Sequence, residues 1–145
     1  MANQFLVKET MAAIRGLSAA EITALQNGTY EGVQLLGYYQ KGDTLVPIVY
    51  YLAPSTPDPG PDDGGSVIIV SSIKLVHQFV GHVDAVYFGM SQSKSSSENK
   101  TIAQKVINYA AINEAKSVNF PKWFRVVYSD YTKSTFAKHI EALIQ

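Results

Sequence analysis

Between Ala53 and Gly65 the chain reads APSTPDPGPDDGG, which gathers four of its six prolines and no large apolar side chain. Proline fixes φ and removes an N–H donor, so neither a helix interior nor a central strand runs through such a stretch. It reads as an exposed linker or long loop, semi-stiff over its prolines and flexible at Gly64-Gly65. Regular structure must therefore be built on either side of it. The expected division is a helical segment over 1–28, a β-hairpin module with the linker over 29–65, and an α/β unit ending in a helix over 66–145.

Upstream of the linker, Met11, Ile14 and Leu17 recur at helical spacing, with Gly16 interrupting them. Ser18-Ala19-Ala20-Glu21 has the form of a capping box, in which serine and glutamate each satisfy the other's backbone N–H. Ile22 and Leu25 give the second helical piece a narrow apolar face, and Asn27-Gly28 is a left-handed stop. From Thr29 the texture changes to strands. Thr29–Tyr39 and Val46–Leu52, separated by the turn Lys41-Gly42-Asp43, predict a hairpin. The pairs Tyr38-Tyr39 and Tyr50-Tyr51 would each put one ring on either face of a strand. Such rings serve either as packing of a small sheet or as an aromatic contact surface.

Downstream, Ser66–Val70, Ile73–Val80 and Val83–Met90 read as short strands. The serine-rich 91–99 reads as a loop, with Asn99 capping a helix from about Lys100 to Ala115 whose buried stripe is Ile102, Val106, Tyr109 and Ala110. Lys116–Phe120 then returns as a strand, which makes strand–helix–strand a crossover unit. Trp123–Tyr128 is strand-like. Thr132 or Ser134 can cap a last helix in which Phe136, Ile140 and Leu143 follow the spacing of a coiled-coil seam. A helix that short needs a partner, either its own domain or symmetry mates, so these three are candidate oligomer contacts. The whole is an α+β fold.

The chemistry of most function classes is missing. Lys plus Arg and Asp plus Glu are 12 each, so the formal net charge is zero. That gives no electrostatic pull toward nucleic acid and little repulsion between copies. There is no cysteine, which excludes disulfides and thiolate chemistry. No apolar run is long enough to span a membrane, and the opening residues lack the pattern of a secretory signal. His77 and His82 lie five apart, unsuited to a shared metal. His82 and Asp84 share one strand face, which is half of an acid–base pair or an ordinary hydrogen bond, and no nucleophile context accompanies them. Gly28, Gly32 and Gly37 match no phosphate-binding pattern. Asp58, Asp62 and Asp63 lack the ligand order of a calcium loop and read as a solvated acidic loop. No cofactor and no metal site is expected. Trp123, Tyr128 and Tyr131 are candidates for stacking on sugar, or simply for packing.

Two stretches resemble a known family. Gly37-Tyr38-Tyr39, Gly42-Asp43, Tyr50-Tyr51 and then Asp62-Asp63-Gly64-Gly65-Ser66-Val67-Ile68 are similar to a small module that precedes the solenoid in phage tailspikes and related virion proteins. Val83–Met90, Asn99–Ile107 and Val118-Asn119-Phe120-Pro121 resemble the opening of pectate-lyase-type right-handed β-helices, where a helix caps the mouth of the solenoid. The matches span about residues 30–121. Two departures stand out: the serine-rich loop replaces the family's G-D-G, and Lys122-Trp123 replaces its P-G-x-Y. Residues 122–145 are too few for stacked rungs of about 20 residues each, so no complete β-helix is expected.

The resemblance implies a structural or adhesive virion component (fibre, spike or adaptor), not an enzyme. It would be assembled in the host cytoplasm as a homotrimer on other virion proteins, with a host-surface glycan as a further partner. Phe5, Met11, Ile14 and Leu17 would form the docking segment. The rivals are a carbohydrate-binding module using Tyr38, Tyr50 or Trp123, and a shortened polysaccharide-degrading enzyme drawing on Asp84, Glu98, Glu114 or Asp130.

Overall fold

The computed structural model describes residues 4–124, and these form an α+β protein with three α-helices and a mostly antiparallel main sheet. The seam residues Phe136, Ile140 and Leu143, together with Tyr128, Asp130, Tyr131 and the expected last helix, lie outside the described residues. The chain divides into two compact units, at His77/Gln78. That corrects the expected boundary at the proline-rich stretch. The strands on both sides of that stretch join one sheet, so it is a loop within the first unit.

In the first unit, β1 (Phe5–Lys8), which sequence reading missed, leads through α1 (Met11–Arg15) and α2 (Ala19–Gln26) to β2 (Gly32–Leu35), which lies parallel to it. The predicted hairpin is present: β2 pairs antiparallel with β3 (Ile48–Leu52). β4 (Val67–Val70) and β5 (Ile73–Val76) form a second hairpin, and β5 joins β3 to give the order β1-β2-β3-β5-β4. The capping box closes as expected: Ser18 Oγ accepts from Glu21 N at 3.1 Å, and Glu21 Oε1 accepts from Ser18 N at 3.0 Å. Gly28 follows with φ +84°.

Register sorts the sheet's side chains onto two faces. Leu6, Val33, Leu35, Ile48, Tyr50, Leu75, Ile68 and Val70 share one face and are buried, together with Met11, Ile14, Leu17, Ile22 and Leu25 of the helical segment. Met11, Ile14 and Leu17 therefore belong to the unit's own core, and the expected docking role for them is corrected. Of that set only the half-buried Phe5 lies on the opposite face.

In the second unit, β6 (His82–Asp84) lies parallel to β7 (Ser117–Asn119), and α3 (Ser96–Ile112) connects them. This is the expected crossover unit, with two corrections. Residues 85–88 are not strand but a 3-10 turn, started by Asp84 accepting from Val86 N and ended by Gly89 at φ +94°. The cap of α3 is Ser95, in a second capping box with Glu98. Asn99 is instead buried inside the helix, where its amide binds the backbone of Ser91 in both directions, at 2.9 and 3.3 Å. Phe79, Tyr87, Phe88 and Tyr109 form the aromatic part of this core, with ring centroids 5.5–5.9 Å apart. Among the described residues no closed barrel or complete β-helix is present, and no helix is long and apolar enough to cross a membrane.

Candidate interaction surface and its aspartate-clamped loops

The G-Y-Y…G-D stretch is a tight loop, not a strand end. Gly37 must be glycine, because a Cβ there would sit 1.9 Å from the Gln40 carbonyl oxygen. Gly42 takes φ +89°, open to glycine at no steric cost. Asp43 then accepts from the backbone N–H groups of Tyr38, Tyr39 and Gln40, at 2.6, 2.9 and 3.1 Å. The carboxylate thus replaces the partner strand that these N–H groups lack.

The D-D-G-G stretch is built the same way. Asp63 Oδ1 accepts from the N–H groups of Gly65, Ser66 and Val67, and Oδ2 accepts from the Ser66 hydroxyl. Asp62 accepts from Gly64 N at 2.9 Å and Ile69 N at 2.8 Å. It also receives both terminal nitrogens of Arg15, from the last turn of α1, at 2.7 and 3.1 Å. Burial works to raise the Asp62 pKa, but the Arg15 fork and the two backbone donors outweigh it and hold the carboxyl below its usual range. The expectation of a solvated acidic loop is corrected for Asp62 and Asp63. Their oxygens are committed to N–H and O–H donors, which argues against calcium there. Asp58 alone fits it: exposed, and paired with Lys74 at 2.7 Å.

Tyrosines tie the D-D-G-G loop to the first loop and to β3. Tyr38 donates its hydroxyl to the Gly64 carbonyl at 2.7 Å, and Tyr50 donates to the Gly65 carbonyl at 2.6 Å. Burial pushes the Tyr38 hydroxyl up to about 12 and raises Tyr50 further. Both remain neutral donors at physiological pH. The Tyr50 ring is fully buried and cannot stack on a sugar, which corrects that candidate role for it, while Tyr38 is half-buried with its hydroxyl already engaged. Tyr50-Tyr51 does split across the sheet as expected, with Tyr50 at 0% and Tyr51 at 47% exposure. Tyr38 and Tyr39 lie in a loop, so strand alternation does not apply to them.

The sheet face opposite the helices carries a group of exposed apolar side chains, apart from Leu45 and Val46 in the loop before β3. Phe5, Val7, Val49, Tyr51 and Ile69 lie on it, Val7 being 55% exposed and Phe5 meeting the Tyr51 ring edge-on at 6.4 Å. Such a face on a protein surface is a candidate contact site. An open pocket of about 360 Å³ lies elsewhere on the unit, beside Leu52 and Pro54. Its cation, Lys74, is already bound to Asp58 and to the Gly60 carbonyl.

The other candidates are dispersed. His77 binds the Val49 carbonyl at 2.8 Å, and burial lowers its pKa. His82 pairs with the Ser117 hydroxyl, while Asp84 is spent on its turn and is raised by burial. The two therefore serve separate local contacts rather than one acid–base device. Glu98 caps α3, and Glu114 sits past its end with φ +54°. Trp123 is 39% exposed and meets Phe124 edge-on. No protein-family model matches the chain, and no curated protein matches it.

Proposed function

We propose that this chain is a structural or adhesive virion component, a fibre, spike or adaptor, that mediates assembly or host attachment rather than catalysis. The observation that carries the reading is the meeting of the G-Y-Y…G-D and D-D-G-G parts of the tailspike-like stretch. Tyr38 of the first part and Tyr50 of β3, 26 and 15 residues before their acceptors, hold the Gly64 and Gly65 carbonyls of the second. Gly37, Tyr38, Asp43, Tyr50, Asp62, Asp63 and Ser66 of the shared pattern each have a physical role in one small module, which suits a mounting piece. The strand–helix–strand of the second unit suits a solenoid cap.

Homotrimerisation through Phe136, Ile140 and Leu143, docking on other virion proteins, and recognition of a host-surface glycan belong to this proposal. Light scattering on a sizing column tests it. A mass near three times 15.9 kDa supports a trimeric spike or fibre component. A monomer that also fails to co-sediment with virions, and is missing from their peptide mass spectra, refutes it. The carbohydrate-binding reading now rests on the exposed rings Tyr39, Tyr51 and Trp123, and titration against a glycan array tests it separately.

A further inference from the structure

The two edges of the first unit's sheet are finished differently. On β4, the outward N–H groups belong to Val67 and Ile69, and both are taken by carboxylates, Asp63 and Asp62 respectively. The outward Val67 carbonyl accepts from Asp63 N at 3.1 Å. That edge cannot accept another strand. On β1, Gln4 and Lys8 present their carbonyls to Glu31 and Leu36 on the β2 side. Phe5 and Val7, one step out of phase, therefore point their N–H and C=O groups away from β2. β1 ends the strand order, and no other strand among the described residues pairs with this side. Nor does a charge guard it in the usual way. Phe5, Leu6 and Val7 are uncharged, and the Lys8 ammonium is drawn aside to Glu21 at 2.8 Å.

We propose that the β1 edge is a pairing site for the β1 strand of a second copy of this chain, antiparallel about a two-fold axis at Leu6. This goes beyond the virion reading and does not depend on it. The register sets Phe5 opposite the second copy's Val7 as a pair exchanging both hydrogen bonds, and Leu6 opposite Leu6. Lys8 then faces the uncharged Gln4, so no like charges oppose each other. The exposed apolar face continues across the junction through Phe5, Val7 and Tyr51. A net charge of zero leaves copies free to approach. Because the β4 edge is closed, the contact can only be isologous, and growth stops at the pair instead of running into a filament. An edge contact this short falls well below the ~1,200–2,000 Å² of a stable interface. The association is therefore weak and concentration-dependent.

The test is light scattering of the full chain over roughly a hundredfold range of concentration, read as a doubling of the smallest mass. A trimer would carry three such edges, and for it the readout is a rise of the smallest mass by whole trimers. Amide exchange is measured in parallel. Wild type should double in mass as concentration rises, with the Phe5 and Val7 amides slowing in step. Val7→Pro removes an outward donor without touching the β2 ladder, and should weaken the doubling by about tenfold or more. Should Val7→Pro lose its native circular dichroism, Val7→Lys serves instead. It sets two ammonium groups on one face near the axis and should abolish the doubling. A mass independent of concentration, a doubling unchanged by a folded variant, or Phe5 and Val7 amides indifferent to concentration would each overturn the proposal.

Discussion

Asp63→Ala tests whether the D-D-G-G carboxylates hold the first unit together. Oδ1 of Asp63 accepts from three backbone N–H groups, at 2.9 Å from Gly65, 2.7 Å from Ser66 and 2.9 Å from Val67. The buried Ser66 gives its hydroxyl to Oδ2. Hydrogen bonds to a charged group contribute roughly 1.5–3 kcal/mol each, but bonds sharing one acceptor do not add, and water can reach part of this loop. The expected loss is about 3–5 kcal/mol, a large part of what a unit of this size has. By the usual scaling this lowers the melting point by about 15–30 °C. Asp63→Asn keeps one oxygen for the backbone donors and removes only the charge assistance, so it should cost about 1–2 kcal/mol. The assay is thermal and urea unfolding followed by near-ultraviolet circular dichroism of the tyrosines, with Trp123 fluorescence as the probe of the second unit. Asp58→Ala, which removes an exposed carboxylate from the same loop, should be close to silent. The reasoning fails if Asp63→Ala costs less than about 1 kcal/mol, or if Asp58→Ala costs as much.

Further outcomes follow from single contacts. Gly32→Ala would place its Cβ 2.5 Å from the Tyr50 carbonyl oxygen and 3.2 Å from Val49 Cγ1, so it should force β2 and β3 apart and cost about 2–3 kcal/mol in urea unfolding. Asn99→Ala strands the Ser91 N–H and carbonyl beside α3 and should cost about 1–3 kcal/mol, more than the ~1 kcal/mol of losing the Ser95 cap in Ser95→Ala. Asp62 has a lowered native pKa, so its contribution is complete above the unfolded value of about 3.9 and is lost as pH falls through the native one. Arg15→Ala should flatten that acid limb of the stability curve. Asp84 is shifted the other way by burial, so its ionisation costs stability; Asp84→Asn, which keeps the acceptor for Val86, should not lower stability at neutral pH.

Local signals in the sequence hold where their cause is local. The Ser18–Glu21 box, the Gly28 stop, the β2–β3 hairpin and the strand–helix–strand order all depend on neighbouring residues, and each formed. The structure departs from those signals where distant partners decide it. β1 is too short to show periodicity and exists because β2, lying beyond two helices, pairs with it. The loop at 53–65 has the composition of a linker, yet Arg15 and the β4 backbone make its last aspartates structural. The α3 start was expected at Asn99 and lies at Ser95. The serine-x-x-glutamate spacing, already used at Ser18, would have decided it for Ser95. The 3-10 turn after Asp84 has an apolar run that is indistinguishable by pattern from a strand.

The candidate surface was the least legible part, because exposure is a property of the assembled sheet. Phe5, Met11, Ile14 and Leu17 look alike as apolar residues near one end of the chain. The β1–β2 register sets Phe5 on the open face, while Met11, Ile14 and Leu17 of the helical segment are buried in the core. The aspartates carry the same lesson in reverse. An acidic run suggests an ion to be bound, but three of the four loop carboxylates, Asp43, Asp62 and Asp63, are already saturated by backbone N–H groups. A carboxylate placed beside an unpaired strand edge does what another strand would do, and it also bars that strand. Among the described residues such a guard stands at β4 and none at β1. That asymmetry, rather than any single exposed residue, is what gives the first unit a direction in which it can associate.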